Sequence, residues 1–232
     1  MATLAGHPYV TRAGWGARAP TSGFQRMATP SPRLWVHHTG TEQHGAAALR
    51  AIQRYHQQTR GWKDIAYNFL VDDDGTIYEG RGAGIVGGAT AGDNAGSHAI
   101  CLLGNFEGRA PTAAALRTLI DLARHGRTVR WWVPTCGGHR DAPGASTACP
   151  GRHLYARLPE VRRQIDRPTP DELSEELIVQ STASGAALLL TGGVTFLIES
   201  NAELSAHRGA GIPVVGVGPG QFERYRRARA DD

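Results

Sequence analysis

The stretch "RLWVHH", residues 33–38, sets Leu, Trp and Val in a row between an arginine and two histidines. A short run of β-branched and aromatic residues reads as a strand, here one that ends at the histidines. Downstream, "GAAALRAIQRYHQQT" (45–59) puts Leu49, Ile52 and His56 at helical spacing with Arg50, Gln53, Arg54 and Gln57 between them, so an amphipathic helix is predicted. "IAYNFLV" (65–71), "TIYEG" (76–80) and "HAICLLGNF" (98–106) follow as strands, the first turning into the second through Asp73, Asp74 and Gly75. Pro111 and Thr112 open a second helix with Leu116, Leu119, Ile120 and Ala123 on one face, and "RHLYARLPEVRRQI" (152–165) gives a last helix, kinked at Pro159. Strands interleaved with helices predict an α/β fold, a mixed central β-sheet flanked by helices.

"DRPTPDELSEE" (166–176) has the prolines and acids of a linker. The predicted organisation is a first domain over 1–167, a linker over 168–176 and a small α+β domain over 177–232. In the last, "LIVQ", "AALLLTG", "VTFLIES" and "IPVVGV" read as strands, and "AELSAHRG" and "GQFERYRRA" as helices. With 232 residues, 41% hydrophobic and 20% charged, the chain has the composition of an ordinary globular protein. The longest apolar run, 186–198, is too short and too broken by Gly192 and Gly193 to enter a membrane, and it reads as two strands around a turn. The opening "MATLAGHPYVTRAGW" lacks the pattern of a secretory signal, so synthesis in the cytoplasm is expected. Residues 1–167 hold 20 Lys and Arg against 12 Asp and Glu, and the remainder 5 against 9. The basic first part favours approach to an anionic surface. No nucleic-acid motif accompanies it, and nucleic acid is not expected as a partner.

"GGHRDAPGASTACPG" (137–151) sets His139 and Cys149 ten positions apart in a stretch too rich in Gly, Pro and Ala for a regular helix. A loop of this kind can bring both side chains around one ion, and a histidine at a strand end, His37, offers a rigidly mounted third ligand. Catalytic zinc takes three protein ligands and one open position. Two neutral imidazoles and one thiolate leave Zn2+ at formal +1, still a useful Lewis acid. The odd count of three cysteines, Cys101, Cys136 and Cys149, suits reduced thiols with one special role. "CGGH" makes Cys136 a competitor to Cys149, Cys101 reads as a small buried residue, and His56 as a hydrogen-bonded core histidine. "DDDG" (72–75) reads as a solvated turn, and "GRGAGIVGGATAG" (80–92) as loops bordering a groove.

"TRAGWGAR", "VHHTGT", "IQRYHQQTRGWKDIAYNFLVDDDGTIYEGRG", "AICLLGNFEG" and "GGHRDAPGASTACPG" follow one another in an order that resembles the type 2 N-acetylmuramoyl-L-alanine amidases, the family that includes peptidoglycan recognition proteins and phage lytic amidases. The resemblance covers residues 9 to about 165. It implies that His37, His139 and Cys149 are zinc ligands, with His38 left to packing or the groove wall. It further implies that Tyr67 is the catalytic tyrosine, that Thr147 sits where related enzymes carry threonine or lysine, and that the substrate is bacterial peptidoglycan. Asp141 could brace the loop or an imidazole. Ala83 and Ala89 depart from the pattern, standing where many relatives have tryptophan and histidine, which bears on how substrate is gripped.

Members that only bind peptidoglycan typically lack the cysteine, so its presence favours hydrolysis. Two rivals stay open: a binding module that cuts nothing, and a cysteine amidase with Cys149 as nucleophile and His139 as base. An amidase followed by a small domain resembles a phage endolysin, acting on the host wall after the membrane is breached. On that analogy residues 177–232 bind cell wall or assemble a homo-oligomer.

Overall fold

A computed structural model describes residues 2–132, 136–166, 177–181, 183–191, 194–198, 200–209, 214–218, 222–223 and 226. The chain divides into two compact units, Met1–Ile165 and Asp166–Asp232. The predicted linker, residue 182, the turn at Gly192 and Gly193 and most of "GQFERYRRA" lie outside the described residues.

In the first unit, strands β1 (Thr3–Leu4), β2 (His7–Val10), β3 (Arg33–His38), β4 (Phe69–Val71), β5 (Ile77–Glu79), β6 (Ser97–Leu102) and β7 (Cys136–Gly138) form one sheet in the order β1-β2-β5-β4-β6-β3-β7. The sheet is mixed: β3 runs parallel to both neighbours, β6 and β7, and β4 is antiparallel to β5. The expected strand at 65–71 shrinks to its last three residues. The preceding ones form irregular backbone, with Asn68 bonding Gly82 and Ile85 carbonyls across to the neighbouring loop.

Alternation along β3 divides the core into two faces. Leu34 and Val36 pack with Ile100 and Leu102 of β6 against Leu119, Leu122, Val161 and Ile165, from the apolar faces of α2 (Ala113–Thr128) and α4 (Leu158–Asp166). Thr112 caps α2, accepting the Ala115 N–H. On the other face Leu49 of α1 (Gly45–Arg54) packs with Trp15, Leu70 and Cys101. The helix expected to run to 59 changes pitch, with a π-turn over Tyr55–Thr59. Gln53, predicted on its polar side, is fully buried, where its amide joins Arg18 and Asp64.

The expected kink at Pro159 is instead a break at Ala156 and Arg157, between a short helix, α3 (Arg152–Tyr155), and α4. Pro159 falls in the first turn of α4, where its missing N–H is no loss. The Asp-rich turn is less solvated than expected: Asp72 is buried and accepts the Gly45 N–H at the start of α1, while Asp73 pairs with Arg109.

The second unit holds β8 (Leu177–Ser181), β9 (Ala187–Thr191), β10 (Val194–Ile198) and β11 (Val214–Val217) in the order β10-β9-β8-β11, with helix α5 (Asn201–Gly209). Leu204 of α5 packs on Ile178, Ala187 and Ile198, and Val179, Leu188, Val217 and Phe222 form a second cluster. Both units combine helices with sheet. No helix among the described residues is long and apolar enough to cross a membrane.

Candidate metal centre

His37 is the fifth residue of a six-residue strand that lies between two parallel neighbours, and its side chain is 1% exposed. That mounting leaves the ring little freedom. His139 opens a turn of 3-10 helix immediately after β7, and the loop that follows returns Cys149 to the same place. Ligand-capable atoms of His37, His139 and Cys149 all lie within 4.8 Å of one another, the one such group of three found among the described residues. The Cys149 sulfur is 3.7 Å from His37 Nδ1, and the two imidazole rings are 4.6 Å apart between centroids.

Two glycines let the loop close this tightly. A Cβ on Gly138 would stand 2.8 Å from the Pro150 ring and 2.9 Å from Tyr155. One on Gly151, at φ +85°, would stand 2.5 Å from the backbone of Phe106. Arg140 ties the loop's ends together, its N–H donating to the Cys149 carbonyl at 3.1 Å and its guanidinium lying 4.5 Å over the Tyr155 ring. Asp141 accepts from the Gly138 N–H, the Tyr155 hydroxyl and Arg162. It therefore braces the loop, and those three bonds use both of its oxygens.

Burial pushes the His37 imidazole well below its usual range, with His139 and His38 nearby adding to the effect, and burial also lowers His139. Both rings are neutral at pH 7, the form that ligates metal. Burial pushes the Cys149 thiol up to about 11 despite the His38 N–H and Arg140, which favour the thiolate. A thiol held so high needs a cation to ionise it at neutral pH and is a poor unassisted nucleophile.

Tyr67 is half-buried beside His37, ring centroids 5.5 Å apart, and burial foremost keeps its hydroxyl protonated. Thr147 is exposed, and its hydroxyl accepts the Cys149 N–H at 3.1 Å. A groove of about 510 Å3 leads away from Tyr67 between Thr39, Ile52, Tyr55 and His56. His38 packs against Phe106 and accepts its N–H, and buried His56 accepts the Ala66 N–H while lining the groove. Cys136 and Cys101 are buried, and none of the three cysteines is in a disulfide. Thr90, inside what reads in sequence as an undistinguished Gly-rich loop, makes a contact with His37 that no spacing signalled.

Fold and site together define a mixed-sheet α/β domain with a His/His/Cys cluster beside Tyr67, a residue that also lines a groove. Residues 28–152 match the family model described as N-acetylmuramoyl-L-alanine amidase. The human N-acetylmuramoyl-L-alanine amidase is 37% identical over 173 residues, 66% of this chain and 27% of that protein, so the chain spans about a quarter of the length of that relative. Peptidoglycan-recognition protein SD of Drosophila melanogaster is 33% identical over 163 residues, 65% of this chain and 84% of the relative. Among solved structures, peptidoglycan recognition protein-LE in complex with tracheal cytotoxin, a monomeric diaminopimelic acid-type peptidoglycan, superposes with a TM-score of 0.63 at 34% identity, over 66% of this chain and 92% of that one. The chain belongs to the N-acetylmuramoyl-L-alanine amidase family, whose members cut or bind peptidoglycan.

Proposed function

We propose that the first unit is a zinc-dependent amidase that hydrolyses the bond between the lactyl group of N-acetylmuramic acid and L-alanine in bacterial peptidoglycan. The observation that carries this reading is the convergence of His37, His139 and Cys149 beside Tyr67, which lines the adjoining groove.

The donor set fits zinc. A tetrahedral ion with Zn–S near 2.3 Å and Zn–N near 2.0–2.1 Å requires its sulfur and nitrogen ligands to stand about 3.5 Å apart. Cys149 Sγ and His37 Nδ1 stand at 3.7 Å. Three protein donors leave a fourth position for the chemistry. When bound, Zn2+ supplies Lewis acidity toward the amide carbonyl and toward water.

The chain's own residues do the rest. Tyr67, kept protonated by its surroundings, donates a hydrogen bond to the oxygen on which negative charge develops. Thr147 spends an acceptor lone pair on the Cys149 N–H and keeps its hydroxyl proton as a second donor. Ile52 and Tyr55 give the groove apolar contact area for substrate, and Thr39 and His56 give it polar contacts.

The test is digestion of purified peptidoglycan followed by mass spectrometry. New alanine amino termini are expected, lost on chelation and restored by Zn2+. Chelator-resistant cleavage would instead favour Cys149 as nucleophile, a role that its raised thiol pKa disfavours. Release of no termini would leave a binding module, against which the presence of Cys149 in the cluster stands.

The endolysin role rests on an architectural analogy, an amidase unit followed by a second small unit. On it the protein acts on the host wall, and the second unit binds wall or joins copies of the chain. Lysis assays on permeabilised cells test the first part, and sedimentation of the full chain, with and without insoluble wall, separates the alternatives in the second.

A further inference from the structure

Arg33, Trp35 and His37 alternate along β3 and so project from the same face of the sheet. The first two grip Asp93: Arg33 Nε donates to its carboxylate at 2.8 Å and Trp35 Nε1 at 2.6 Å. Asp93 in turn closes a turn with Thr90, its N–H donating to the Thr90 carbonyl at 3.0 Å, while the Thr90 N–H donates to Asn94 Oδ1 at 2.8 Å. The turn sets the Thr90 hydroxyl 3.3 Å from His37 Nε2, both residues being almost wholly buried. The ring's other nitrogen, Nδ1, is the one that faces Cys149.

We infer that Thr90 is a positioning residue for the metal centre: its hydroxyl accepts the Nε2–H of His37 and so leaves the Nδ1 lone pair aimed at the cluster. A neutral imidazole carries one proton, and the partner of one nitrogen decides which nitrogen is free to ligate. With the proton on Nδ1 the ring would present N–H to the position a cation must take. The partners usually found behind a metal-ligating histidine are a carboxylate, a carbonyl or water. Here a buried hydroxyl takes that place; the Asp93 N–H holds the Thr90 backbone carbonyl, and the Asp93 carboxylate is itself held by two other side chains of the His37 strand, Arg33 and Trp35. Ring and hydroxyl are thus referenced to one strand, so their separation survives movement elsewhere.

The inference rests on the zinc reading, and the test separates the two. The full chain competes with a chromophoric chelator for Zn2+, the metal alone serving as probe. Thr90→Val keeps shape and branching and deletes the hydroxyl, and its zinc affinity is expected to fall about tenfold. Thr90→Ser restores the hydroxyl and is expected to bind within about threefold of the parent. A purely structural role predicts no loss for the isosteric valine, and equal affinity of parent and Thr90→Val overturns the inference. Absence of zinc binding by the parent overturns the zinc reading itself. Should Thr90→Val fail to fold, 15N-histidine NMR of the zinc-loaded parent decides: a slowly exchanging proton on His37 Nε2 is expected, and a proton on Nδ1 overturns the inference.

Discussion

The cluster is built from two unlike kinds of backbone. His37 is on a central strand, buried and flanked on both sides by parallel neighbours, whereas His139 and Cys149 are on a loop whose surroundings include exposed Thr147 and Asp141. The strand half draws its rigidity from the core: Leu34 and Val36 pack beneath it, so its geometry comes from the same burial that holds the sheet together. The loop half has no core of its own and is fixed by Arg140, Asp141, Tyr155, Arg162 and two closely packed glycines. A preorganised site therefore depends here on hydrophobic burial on one side and on polar bracing on the other.

Substitutions can break this contrast. The largest effect is expected from Cys149→Ser, which replaces a soft thiolate by a neutral hydroxyl: cleavage of peptidoglycan should fall by more than about a hundredfold, with zinc content lost in parallel. Retained zinc would show that the sulfur ligand is dispensable. Tyr67→Phe removes a donor and leaves the ligands alone, so turnover should drop about a hundredfold at unchanged zinc content. Asp141→Ala unties the loop from Gly138, Tyr155 and Arg162, and is expected to weaken zinc binding about tenfold and to admit protease near residues 140–148 while the remaining fold resists.

The smallest effect at neutral pH should come from His98, behind the strand half. Its Nε2 accepts the Gly84 N–H at 3.0 Å and its Nδ1 pairs with Ser31, and burial lowers its pKa to about 4. An unfolded histidine titrates near 6.5. The unfolded chain thus takes up the proton first as pH falls, so stability is full above about 6.5 and declines toward pH 4, by about 3 kcal/mol for the whole shift. Chemical denaturation of the parent and His98→Gln across that window should give a slope shallower by about one proton in the variant. Identical slopes would mean that His98 is not buried neutral.

Much of this was legible beforehand. β3, the capped start of α2 and the apolar faces of α1 and α2 follow from period and capping, which are local properties of the chain. His37, His139 and Cys149 were nameable as a set because a strand end, a Gly-rich loop and a family-like order of motifs all pointed to them. What escaped was short or long-range: β1, β2 and β7 are two to four residues each and are held by their neighbours, with no strong pattern of their own. Gln53 is buried against the helical pattern because its partners, Arg18 and Asp64, come from outside its helix.

The chain's periodicity determined a mixed sheet between helices, and the order of its motifs, through their resemblance to a family, named the candidate ligand set. Tertiary structure decided which ring nitrogen faces the sulfur, that Asp141 serves the loop, and that Thr90 stands behind His37. Thr90 and Cys149 are more than fifty positions from His37, and Asp141 is tied to Tyr155 and Arg162 across the length of its loop, so these partners leave no trace in local pattern.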